Sequence, residues 1–196
     1  MRRPAAGLIL AAGDGLRFGG NKLSVMLDGR PLLQHVLDLA TEAALEPVVV
    51  VLGRSAASLE QRLRWRAEQR VLNTEPERGL SSSVAIGLEA LAQRVPQPLR
   101  AVVLLGDQPR LAVAQLELLL AVPADPARPI VVPRYSDGQP GNPVLLERAA
   151  WPLTGELSGD RGVSQLFAAR PERVRYVDVP GTNPDIDTPA DLAALA

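Results

Sequence analysis

The sequence predicts an α/β fold, a three-layer α/β/α sandwich on a Rossmann-like, mostly parallel sheet. Three observations lead there. Short apolar runs recur at residues 7–13, 47–53 and 100–106, as expected of strands buried on both faces. Between them lie segments whose apolar residues recur at helical spacing. The alternation of strand and helix continues to residue 134, which calls for crossover connections, and those are right-handed in parallel sheets.

Each element can be justified in turn. GLILAAG (7–13) reads as the first buried strand. Residues 31–43 carry apolar side chains at 32, 33, 36, 37, 39 and 40, with Pro31 suited to a first helical turn. PVVVVLG (47–53) is a second strand with a β-branched centre. Residues 55–67 read as a helix capped by Ser55, and 69–73 as a short strand. SSSVAIGLEALAQ (81–93) reads as a helix with Ser81 as its cap. RAVVLLG (100–106), the helix 112–122 and the strand 128–134 complete the alternation. Beyond residue 134, YSDGQPGNP is turn-rich. VLLERAAWPL (144–153) and GVSQLFAAR (162–170) read as helical, and RVRYVDV (173–179) as a strand. TPADLAAL (188–195) reads as a closing helix, with Thr188 as N-cap and Pro189 early in it. No repeat or linker divides the chain, so a single domain over 1–196 is expected.

Composition narrows the function. With 196 residues, 46% of them hydrophobic, the chain can bury a full core. A net charge of −1 lacks the basic excess of a nucleic-acid binder. Aromatic residues at 3% give no stacking platform for single strands. There is no cysteine, which removes disulfides, thiolate metal sites and a thiol nucleophile. His35 is the only histidine, which leaves no basis for a Ser-His-Asp triad or a histidine metal site, and it reads as a packing or surface residue. No apolar run approaches the roughly 20 residues of a membrane span. The first apolar stretch meets glycine and aspartate too early for a signal peptide. A cytoplasmic protein, free of membrane and nucleic acid, is expected.

The loop after the first strand carries the chemistry. GLILAAGDGLRFGGNK (7–22) can be compared with three phosphate-binding loops. In the G-x-x-x-x-G-K-[ST] frame, Gly15 and Gly20 fit, but Lys22 falls one place late and Leu23 replaces the metal-ligating hydroxyl. In the G-x-G-x-x-G frame, Gly13 and Gly15 fit, but Phe18 stands at the third glycine. No acid follows the second strand to take a ribose. The frame L-A-A-G-x-x-x-R-x-G-x-x-K is filled by Leu10, Ala11, Ala12, Gly13, Arg17, Gly19 or Gly20, and Lys22. Glycines admit a triphosphate close to backbone N–H groups, while a guanidinium and an ammonium neutralise it. Of 21 basic residues, Lys22 is the only lysine, and it lies inside this motif.

This third frame resembles the signature of nucleotidyltransferases that join a sugar phosphate or pterin phosphate to a nucleotide. Asp107 in GDQP, just past a buried strand, is similar to the metal-binding aspartate of the molybdenum-cofactor members, although alanine is usual where Gly106 stands. NPDIDTPADL (183–192) is similar to their closing motif; Asp185 and Asp187 alternate on an extended stretch and share a face. NTEPERGLSSSVAIGL (73–88) resembles their base-recognition segment, with Gly79, Ser81 and Ser82 as the expected contacts. SDGQPGNP and LSGDRG resemble acceptor-side segments of the cytidylyltransferase branch, through Gly141, Asn142, Gly159 and Asp160; Asn142 stands where that branch has histidine. LAAG, rather than LAGG, points to the cytidylyl over the guanylyl branch.

The chain thus resembles molybdenum cofactor cytidylyltransferases within the MobA-like NTP transferase superfamily, over residues 7–195. The resemblance implies the fold of nucleotide-diphospho-sugar transferases, with a nucleotide-binding part over about 1–110 and an acceptor-binding part over about 111–196. It implies transfer of CMP from CTP to the phosphate of the molybdopterin cofactor, with release of pyrophosphate. Lys22, Arg17 and Asp107 would be catalytic. Leu10, Ala11, Ala12, Gly13 and Gly15 would line the nucleotide with Lys22 and Asp107. Asp107 and Asp187, with Asp185 as a weaker third, would hold Mg2+. A molybdoenzyme or its chaperone would receive the product. Transfer from GTP or another NTP, a sugar-phosphate acceptor, an NAD(P)H-dependent reductase and a non-catalytic cofactor chaperone remain alternatives.

Overall fold

The computed structural model describes residues 3–195 apart from Asp14, Leu16, Arg17, Gly19, Asn21 and Ser55. The first strand, β1 (Ala6–Ala11), is buried along its whole length. A two-stranded ribbon, β2 (Met26–Leu27) and β3 (Arg30–Pro31), leads into α1 (Leu32–Glu42). Then follow β4 (Val48–Leu52), α2 (Ala56–Glu60), β5 (Gln69–Leu72) and α3 (Leu80–Ala92). After β6 (Arg100–Leu105) come α4 (Val113–Ala121), β7 (Ile130–Arg134) and β8 (Val144–Glu147). The chain closes with α5 (Gln165–Ala169), β9 (Val174–Asp178) and α6 (Pro189–Leu195).

Seven strands form one sheet in the order β5-β4-β1-β6-β8-β7-β9. Leu8 sits opposite Val49 on one side and Val103 on the other, both in parallel pairs. β8 runs against β6 and β7, and β9 is parallel to β7. The sheet is therefore mostly parallel, as the sequence predicts.

Alternation along the strands divides the core between two layers. Ile9, Val50, Leu104 and Leu145 face one helix layer with Leu33, Val36 and Leu37 of α1 and Leu116, Leu119 and Leu120 of α4. Leu8, Val51, Val103 and Leu146 face the other, with Val84, Leu88 and Leu91 of α3, Trp151 and Leu166. Each fully buried Leu or Val stabilises the fold by about 2 kcal/mol through removal of its apolar surface from water. Gly87 lets α3 lie close on β1: a Cβ there would stand 2.2 Å from Leu8 Cδ1. The histidine reads as structural, its ring Nε2–H donating to Leu27 O at 2.8 Å.

Three elements differ from the sequence reading. Residues 144–147 are a strand, not the start of a helix. The run Val144-Leu145-Leu146 is too short to declare a period, and Val102 pairs with Leu145 to fix it as the reversed strand. The helix expected over 55–67 is limited to α2. Arg64 N–H turns to Gln34 Oε1 at 2.8 Å and the Trp65 indole donates to Glu60 O at 3.2 Å, which replaces helical bonding. A 3-10 turn over Gly159–Ser164 precedes α5, so only part of 162–170 is α-helical.

Candidate functional site

In an open parallel sheet, ligands bind beyond the carboxyl ends of the strands where the strand order reverses. Here that point lies between β1 and β6, since the chain runs from β1 outward to β4 and β5 and returns to β6. Gly106 N–H donates to Leu10 O at 2.9 Å, which ties the two strand ends together. Leu10, Ala11, Ala12 and Gly13 lie on one side of this junction and Asp107 on the other.

A cavity of about 250 Å³ opens there, and its lining includes Gly13, Gly15, Lys22, Gly79, Ser83 and Asp107. Leu10, Ala11 and Ala12 line it as well. The glycine loop folds back on itself: Phe18 N–H donates to Gly15 O at 2.9 Å. Gly15 has φ +61, and a Cβ on it would stand 2.3 Å from Gly20 O. Only glycine takes this conformation so near the returning chain. Arg17, the other expected phosphate contact, lies outside the described residues.

Lys22 is the hub. Its Nζ donates to Asp107 Oδ2 at 2.7 Å and to Asp187 Oδ1 at 2.9 Å. Burial alone would lower the lysine's pKa, but the hydrogen bonds and charges of Asp107 and Asp187 outweigh it and raise it above the ordinary value. Asp185 sits beside this pair. Its Oδ1 accepts from Gln108 Nε2 at 2.7 Å. Desolvation of the carboxyl, and then the charge of Asp107, push its pKa up.

Three carboxylates thus converge with one ammonium, an excess of negative charge. Two of them bracket a cation-sized gap that the ammonium fills. Among the described residues no three His, Asp or Glu can cage a metal by themselves. A divalent cation held by Asp107 and Asp187 fits this donor set if phosphate oxygens and waters complete its shell, as hard magnesium prefers.

The base-side residues are arranged differently from the sequence reading. The N-cap of α3 is Gly79, not Ser81, at φ +86 and ψ −179. Ser82 Oγ donates to Gly79 O at 2.8 Å and accepts from Asn73 Nδ2 at 2.9 Å, so its hydroxyl is engaged inside the protein. Ser81 is buried and, like Ser82, does not line the cavity; Ser83 does. Asn73, 1% exposed, holds Ser83 Oγ at 3.0 Å. The triple serine is the visible signal, but which serine lines the cavity depends on where the helix begins.

The acceptor-side residues fall into two groups. Gly141 and Asn142 line a second cavity of about 750 Å³ with Gln108, Tyr135, Arg161 and Asp185. Burial pushes the Tyr135 hydroxyl up to about 12. Asp160, by contrast, lines the smaller cavity with Lys22. Gly159 is packed on Gly79, where a Cβ would stand 2.3 Å from Gly159 C. The larger space at the sheet's other edge, about 1030 Å³ beside Arg3, Glu46, Arg94 and Arg148, holds none of the motif residues.

Similarity to known proteins agrees with this fold. The MobA-like NTP transferase domain matches residues 7–174. The bifunctional protein GlmU of Halorhodospira halophila is 40% identical over 123 residues, 62% of this chain and 25% of that protein. The chain thus spans about a quarter of the length of the first curated relatives it matches. A probable molybdenum cofactor guanylyltransferase of Thermococcus gammatolerans is 26% identical over 133 residues, 67% of this chain and 63% of that protein. Rv0371c of Mycobacterium tuberculosis H37Rv superposes with a TM-score of 0.86 at 32% identity, over 100% of this chain and 98% of that one. Its complex with manganese superposes at 0.82 and 29% identity, over 98% of each chain. No helix among the described residues is long and apolar enough to cross a membrane.

Proposed function

We infer the reaction of this chain from its family: it belongs to the MobA-like NTP transferases and is a nucleotidyltransferase. The reading is that it transfers CMP from CTP to the terminal phosphate of the molybdopterin cofactor. One observation carries it. The lone lysine is held between Asp107 and Asp187 at the mouth of a glycine-lined cavity, beyond the ends of two parallel strands.

In the reaction, an oxygen of the acceptor phosphate attacks the α-phosphorus of the nucleotide in line. The new O–P bond forms as the bond from the α-phosphorus to its bridging oxygen breaks. The electron pair leaves on pyrophosphate. The attacking phosphate, with a second pKa of about 6, is already ionised at neutral pH. No general base is needed, which suits a chain whose single histidine serves a turn. The protein's work is positioning and charge stabilisation.

Lys22 would exchange its carboxylate partners for phosphate oxygens, with Arg17 as the second cation on the triphosphate. Asp107 and Asp187, freed of Lys22, would hold Mg2+, with Asp185 alongside. When bound, the cation neutralises charge developing on the phosphates. Gly79 and Ser83 would meet the base and Asp160 would close over it. Gly141 and Asn142 would border the acceptor in the larger cavity.

Ala12 supports the pyrimidine. It lines the small cavity and stands where an LAGG loop has glycine. Guanylyl transfer is the second reading, favoured by the likeness to the Thermococcus protein. Pyrophosphate release measured with each of the four NTPs and molybdopterin separates them. Release with CTP alone is expected; release with GTP alone would establish the second reading, and release with neither would overturn both.

A further inference from the structure

We propose that Gln108 is a positioning residue: its side-chain amide clasps the 183–187 segment to the end of β6 and selects which carboxylates face the cation. This rests on the nucleotidyl-transfer reading of the site above.

Gln108 follows Asp107 directly and is 6% exposed. Its amide is used in both directions. Nε2 donates to Asp185 Oδ1 at 2.7 Å and to Asn183 O at 3.3 Å. Oε1 accepts from Asn183 Nδ2 at 2.9 Å. The same Asn183 Nδ2 reaches Asn142 O at 3.0 Å, which extends the clasp to the loop bordering the larger cavity. Beside it, Ile186 N–H donates to Asp107 O at 3.2 Å.

Beyond Asp187 the segment is anchored by Asp191. Its Oδ2 accepts from Asp187 N at 3.0 Å and from Thr188 N at 2.7 Å, and Thr188 Oγ1 accepts from Asp191 N at 3.2 Å. The stretch carrying Asp185 and Asp187 is thus pinned at both ends. It belongs to neither sheet; these side-chain bonds act there together with the Ile186 N–H bond to Asp107 O and the burial of Ile186 against Leu27 and Leu32.

The consequence is a division of labour among three carboxylates. The Gln108 amide engages Asp185. Asp107 and Asp187 are left to face each other across Lys22. Without the clasp, the 183–187 segment would shift and carry Asp187 away from Asp107. Groups that hold a metal-ligating carboxylate in place typically contribute 10–100-fold to metal affinity.

The test is a titration of Mn2+, followed by electron paramagnetic resonance, with each of the four NTPs and no acceptor. The full chain is compared with Gln108→Met, which keeps the side-chain volume and removes all three bonds. Mn2+ affinity should fall about tenfold or more; in a parallel assay with molybdopterin added as acceptor, pyrophosphate release lost at limiting Mg2+ should return at tenfold higher Mg2+. Asn183→Ala removes one of the three Gln108 bonds, together with the Asn183 bond to Asn142 O, and should show a smaller loss, which keeps the test available if Gln108→Met fails to fold. Unchanged Mn2+ affinity in the variants overturns the proposal, as does a loss of turnover that added metal leaves unaltered. If the parent binds Mn2+ with a nucleotide but releases no pyrophosphate, the substrate reading fails and the affinity comparison still decides the clasp. If the parent binds no Mn2+ with any nucleotide, both fail.

Discussion

Lys22 and Asp107 are 85 positions apart in the chain, yet their charged atoms meet at 2.7 Å beyond the C-terminal edge of the sheet. Asp187, 165 positions from the lysine, joins them at 2.9 Å. The loop after β1, the end of β6 and the segment before α6 each contribute one charge. The fold therefore brings to one point a cation suited to phosphate and two anions suited to a metal ion.

The lysine's charge should be visible in stability. Because its folded pKa is raised, its ion pairs stabilise the protein fully below the ordinary value of 10.5 and lose that contribution as pH climbs through the higher folded value. Lys22→Met should be less stable than the parent by about 1–2 kcal/mol at pH 8. The gap should narrow above pH 10.5. Urea unfolding across a pH series measures this; a gap that stays constant past pH 12 would count against the paired ammonium.

Removing divalent cations should stop turnover. With EDTA, pyrophosphate release should fall at least ~100-fold, in line with the loss of a main electrostatic contact in the transition state. Added Mg2+ or Mn2+ should restore it. Asp107→Asn should need more metal for the same rate. Full activity in EDTA would exclude the carboxylate pair as a metal site.

Gly79→Ala should damage both fold and site. The backbone there has φ +86, and an added Cβ would stand 2.3 Å from Gly159 C. The left-handed conformation and the overlap together cost about 2 kcal/mol or more. Tm should drop by roughly 4–8 °C, and KM for the nucleotide should rise as the 159–160 loop is pushed off the cavity. A variant with the parent's Tm would contradict this packing.

Much of this was legible in the sequence, and the reasons are physical. β1, β4 and β6 are buried on both faces, so their apolar runs are continuous and unmistakable. Lys22 and Asp107 were visible because each lies just past such a run. Val144–Leu146 was read as helix because three apolar residues before a charged pair fit either period, and pairing with β6 decided the matter. That Ser83, and not Ser81 or Ser82, lines the small cavity follows from Gly79 setting the start of α3, which the triple serine by itself does not show. Asp160 is expected with the acceptor; its place beside the small cavity that Lys22 lines follows from the contact of Gly159 with Gly79, which no local pattern encodes. Gln108 and Asn183 bond each other across 75 positions, a contact no local pattern encodes.

The most direct measurement is single-turnover pyrophosphate release from CTP in the presence of molybdopterin and Mg2+, in the parent, Lys22→Met and Asp107→Asn. The parent should release pyrophosphate in step with formation of the cytidylated cofactor. Each variant should be slower by about 100-fold or more, roughly 3 kcal/mol of transition-state stabilisation, while its circular dichroism stays that of the parent. Near-parental rates in both variants would contradict a transfer reaction driven by the Lys22, Asp107 and Asp187 charges.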